Sequence, residues 1–167
     1  MDPHSDGYSR AQIALHWIIA ALILAILFTH EEFLAIQAAQ LRSGPVSVGQ
    51  SVVRGLHLWG GAVVFPLAVW RTVIRVRLGV PAPPRHELRA FRSAASCTHL
   101  LFYILIFVLP VSGVLVYFCV LPSASGAIHH FGEPVLILLA LAHVGASLMH
   151  HFYWKTDVLR RMLKSTR

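Results

Sequence analysis

Six of the eleven histidines, His16, His57, His99, His143, His150 and His151, fall inside long apolar stretches, where a polar side chain is costly and points to function. The densest case is LALAHVGASLMHHFYW, residues 139–154. His30, His129 and His130 stand where such stretches meet one interface, and His4 and His86 lie in polar segments and read as exposed side chains. The seven acids, Asp2, Asp6, Glu31, Glu32, Glu87, Glu133 and Asp157, are outside the stretches or at their ends. Sites for hard or divalent ions draw on carboxylates as well as imidazoles, so a histidine-dependent metal transporter is the weaker reading. Neutral imidazoles facing one another across helices suit b-type haem, whose iron takes axial imidazole. The sequence has no C-x-x-C-H, which excludes covalent c-type attachment.

Spacing selects ligands. His143 and His150 are seven residues apart, which on an α-helix leaves them about 20° apart on one face and about 10 Å apart in height. His151 is turned about 80° from His143, so His150 is the expected inner ligand and His151 is expected beside the haem edge or near an inner quinone region. His16 follows Arg10 and His150 precedes Lys155 by similar intervals, which pairs them near the inner surface. His57, just past Arg54, pairs with His143 in the outer half. Gly60, Gly61, Ala20, Ala146 and Ser147 leave room on the same faces. A second register stays open, in which His129, fourteen residues before His143 and on nearly the same face, is the outer ligand. Gly132 and Pro134 argue against a continuous helix through it. Arg71, near the inner end, either snorkels or pairs a haem propionate. His99 either packs between helices or bonds a propionate or a quinone carbonyl.

The elements that hold these residues are four apolar runs, about 11–29, 55–74, 96–121 and 135–153, each near the roughly 20 residues that cross a bilayer as a helix. With 56% hydrophobic and 13% charged residues in 167, the expectation is an all-α, integral membrane four-helix bundle forming one domain over 1–167. The net charge of +7 does not imply nucleic acid, because the basic residues follow the connections. Twelve Lys and Arg fall on one side of the four runs, against Arg42 and Arg54 on the other, so both termini are expected in the cytoplasm. The first run reads as a span rather than a cleaved leader, since one arginine alone, Arg10, precedes it. Cys97 and Cys119 are 22 residues apart on the third run, about 33 Å along a helix, too far to pair. Pro110 should kink that run, and Trp17, Trp59, Trp70 and Trp154 near run ends read as an aromatic belt.

The motifs ALHW (14–17), GLHLWGG (55–61), LPVSG (109–113) and ALAHVGASLMHHFYWKTDVLRRML (140–163) resemble the bacterial cytochrome b561 family, whose wider superfamily includes haem subunits of nickel hydrogenases and formate dehydrogenases. The resemblance covers about residues 8–163. It implies a bacterial inner-membrane protein with two haems b exchanging electrons with quinone, with His16, His57, His143 and one of His150 or His151 as ligands. It also implies ubiquinone as partner and superoxide as one donor, since a member of the family is a superoxide oxidase. The leading expectation is therefore a membrane oxidoreductase passing single electrons between an outer-face donor and the quinone pool. The alternative is a haem-bearing anchor that delivers electrons for a separate dehydrogenase or reductase subunit.

Overall fold

In the computed structural model, residues 7–30, 33, 35–36, 38, 47–84 and 87–165 are described, and they form helices with no strand among them. Four helices are long and apolar enough to cross a membrane: α1 (Arg10–Phe28), α2 (Val48–Leu78), α3 (Arg89–Tyr117) and α4 (Pro122–Phe152). A short α5 (Val158–Arg161) follows. At about 1.5 Å per residue, α2 and α4, with 31 residues each, exceed the ~30 Å hydrocarbon layer and extend into the interfaces.

Local chemistry sets the helix starts. Ser9 and Gln12 form a reciprocal capping box at α1, and Ser47 and Gln50 form another at α2, each satisfying donors that the first turn would leave bare. Gly79 ends α2 at φ 70°, and its N–H donates to Arg75 O at 2.9 Å, a backbone state that suits glycine. Between α3 and α4 the turn is tight, with Cys119 and Leu121 at φ 55° and 47°, and Pro122 opens α4 at its first turn.

The fourth apolar run begins earlier than expected. Gly132 and Pro134 argue for a span that starts at about 135, yet α4 runs unbroken from Pro122 through both. In a membrane helix a proline's lost hydrogen bond is tolerated when neighbours pack against it, and Gly132 lies against Leu109 and Leu105 of α3.

Helix α1 packs on α2, α2 on α3, and α3 on α4. Among the described residues, no Cα of α4 comes within 8 Å of one in α1 or α2. Close-packed helices, with axes about 8–10 Å apart, bring Cα atoms inside that distance. A slot therefore separates α4 from the α1–α2 pair. Large apolar side chains such as Leu24, Phe65, Leu100 and Leu138 are exposed on the outside, whereas His16, His57, His129 and His143 turn toward one another, the arrangement a lipid solvent requires. The chain ends close one end of the bundle, where Ser165 Oγ donates to Tyr8 O at 3.1 Å and Trp17 Nε1 to Met162 O at 2.8 Å. This is called the terminal end below, and the opposite one the far end.

Candidate functional site

Two pairs of imidazoles bridge the slot. Toward the far end, His57 of α2 faces His129 of α4 with ring centres 6.1 Å apart. Toward the terminal end, His16 of α1 faces His143 of α4 with centres 6.2 Å apart. A metal–imidazole bond of about 2.0–2.1 Å, plus about 1.1 Å from nitrogen to ring centre, sets two imidazoles on one metal about 6.2 Å apart. Both separations fit a single metal held between the rings.

The far-end pair lines a cavity of about 480 Å³, walled mostly by apolar side chains including Ile23, Ile26, Leu105, Leu109, Val114 and Leu136. His57 Nδ1 is buried there with no hydrogen-bond partner among the described residues. Such a nitrogen is costly unless it binds something, as an axial ligand does. The Phe33 ring stacks on His57 at 4.1 Å and limits its rotation. His129 is held by its other side: Nδ1 lies 3.0 Å from Leu109 O and 3.1 Å from Ser112 Oγ. A carbonyl can only accept, so Nδ1 carries the proton and Nε2 keeps the lone pair a metal needs. Gly113 admits that ring, since a Cβ there would meet His129 Cε1 at 3.0 Å. At the mouth, His30 Nδ1 pairs with Glu133 Oε1 at 3.3 Å.

At the terminal end, His99 and Phe102 of α3 stand edge-on to His143, each with centres 5.5 Å away. His99 donates from Nδ1 to Ala95 O at 2.7 Å. Arg71 Nη1 donates to Gln12 O at 2.9 Å, and buried Gln12 donates from Nε2 to Gly79 O, also at 2.9 Å.

The expected ligands are thus distributed differently from the sequence reading. His16, His57 and His143 all face the slot, but His143 is opposite His16 rather than His57. His150 is not brought to His16. Its Nε2 lies 3.5 Å from Glu87 Oε1, its Nδ1 3.0 Å from Thr156 Oγ1, and its ring packs on Trp154 at 4.6 Å. His151 is exposed. The partner opposite His57 is His129, the second register of the sequence, and its spacing from His143 was the signal that could have found it. Gly60 packs against Ile26, while Gly61 lines the cavity. Glu31, Glu32, Arg42, His4 and His86 lie outside the described residues.

The sequence matches the prokaryotic cytochrome b561 family over residues 7–165. The chain belongs to that family. It is similar to cytochrome b562 of Cereibacter sphaeroides, 32% identical over 95% of this chain and 96% of that protein. It is also similar to cytochrome b561 homolog 1 of Escherichia coli K12, 30% identical over 95% and 97% of the two chains. A probable superoxide oxidase, CybB, of Yersinia pestis is 23% identical over 96% and 97%. Membership makes this a bacterial membrane electron-transfer protein with haem b as its cofactor, and the imidazole pairs and the slot fit that group.

Proposed function

We propose that this b561-family chain is a di-haem oxidoreductase, moving single electrons between a donor at the far end and the membrane quinone pool. The observation that carries the reading is the pair of histidine pairs across one slot. His57 and His129 would hold one haem, His16 and His143 the other. When bound, haem supplies reversible one-electron chemistry, and the protein supplies ligation, orientation and exclusion of water.

The excess of basic residues at the terminal end supports a cytoplasmic orientation for both termini in a bacterial inner membrane. The far end then faces the donor. The likeness to a probable superoxide oxidase supports superoxide as that donor. Two superoxide anions would yield two dioxygen molecules and two electrons, and one ubiquinone would take both electrons with two protons to become the quinol. Those protons need a carrier at the cytoplasmic face. His150 Nε2 and Glu87 Oε1, 3.5 Å apart beside Thr156 and Trp154, would serve as that carrier on closing to hydrogen-bond distance.

The test is the purified single chain in quinone-containing vesicles, with superoxide generated outside. Quinol formation and a two-component reduced-minus-oxidised spectrum are expected. Two haems that pass no electrons to quinone until another subunit is added would support the membrane-anchor reading instead.

A further inference from the structure

Arg71 sits one helical turn from the His16–His143 pair. Its Nη1 donates to Gln12 O, the residue four before His16 and therefore on the same face, toward the terminal end. Tyr103 of α3 is its side-chain neighbour, and Arg75, one turn further toward the terminal end, lies over the Tyr103 ring at 5.5 Å. The site thus gathers two guanidiniums, a phenol and three imidazoles.

Among the described residues, no carboxylate pairs with Arg71. Each described carboxylate is engaged elsewhere: Glu87 with His150, Glu133 with His30, and Asp157 with Arg161. A guanidinium among helices is poorly tolerated without a paired negative charge, and the Gln12 carbonyl and the Tyr103 phenol leave donors of its five free for an anion. Its head ends on a backbone carbonyl of α1, a contact that carries no opposite charge.

We infer that Arg71 binds a carboxylate of the haem held by His16 and His143, fixing that porphyrin with its acidic edge toward the terminal end. This rests on the two-haem reading above. Arg71 is a binding residue with an electronic consequence, since a fixed cation beside the haem carboxylate offsets its negative charge and favours the ferrous state.

The test is redox titration of the purified holoprotein, with the two haems told apart in His57→Ala and His16→Ala backgrounds. In Arg71→Gln, the ferrous-to-ferric ratio of the His16–His143 haem at a fixed potential should fall about tenfold, which is 59 mV for one electron. The other haem should stay within twofold. Reconstitution with haem dimethyl ester, which has no free carboxylate, should abolish the difference between Arg71→Gln and the parent. If Arg71→Gln does not accumulate, Arg71→Lys gives the same cycle, and the haem-to-ester difference must be smaller than in the parent. An unmoved His16–His143 haem, an equal shift of both haems, or an effect that persists in the ester overturns the inference. Failure of the two-haem reading shows itself separately, as a parent protein whose haem signal is unaffected by His16→Ala.

Discussion

His129 and His143 stand on one unbroken helix, and each faces a histidine of a different helix across the same slot. Fourteen residues separate them, about 21 Å of rise and close to four turns, so one face of α4 serves both levels of the bundle. His57→Ala and His129→Ala should therefore remove the same haem, and His16→Ala and His143→Ala the other, each lowering the haem content from about two to about one per chain. His150→Ala should retain both. Acid-acetone extraction with a protein assay measures this, and haem lost from His150→Ala but not from His129→Ala would restore the pairing that local spacing suggests.

The four spans and three of the four facing histidines are readable in the sequence, because bilayer-length apolar runs and imidazoles within them are both local signals. His16, His57 and His143 needed no tertiary information. His129 was outweighed by Pro134, a helix breaker in water that is tolerated in a packed membrane helix. The position of His150 was not legible, since Glu87 lies 63 residues away on a connection, and ideal helical phase says nothing about it. Arg71 is visible in the sequence as a charge near the end of its run, but its bond to Gln12 O, 59 residues away, is a tertiary contact that no local pattern reports.

Gly113 tests how closely the far-end ligand is confined. A Cβ there would stand 3.0 Å from His129 Cε1 and 3.4 Å from Nδ1, and the ring cannot retreat without lengthening its bonds to Leu109 O and Ser112 Oγ. Gly113→Ala should shift the potential of the His57–His129 haem and leave the other unchanged. Gly113→Leu should lose the first haem. Potentiometric titration of both variants checks this, and a shift confined to the His16–His143 haem would contradict the site assignment.

Gly132 reports on helix packing instead of ligation. Its added Cβ would meet Leu109 Cδ2 at 2.7 Å, and overpacking of this kind costs about 1–3 kcal/mol. Gly132→Ala should lower the thermal midpoint in detergent. Leu109→Ala combined with it should recover part of the loss, because the two side chains share one space. Purely additive destabilisation in the double variant would show that α3 and α4 do not meet there.

Proton delivery and electron delivery at the terminal end fall to different residues. His150 Nε2 and Glu87 Oε1 are 3.5 Å apart, and Thr156 fixes the other imidazole nitrogen at 3.0 Å. Neither residue faces the imidazole pairs, so His150→Ala and Glu87→Gln should keep both haems and their potentials. Reduction of a quinone consumes two protons, whereas reduction of ferricyanide consumes none. If this pair relays those protons, each variant should slow haem oxidation by quinone about a hundredfold, the low end of general acid–base contributions, and leave oxidation by ferricyanide within twofold. Stopped-flow oxidation of the prereduced protein reads both rates in the same sample. Equal slowing with both acceptors would assign the pair to haem geometry, and no slowing with quinone would move the proton path elsewhere.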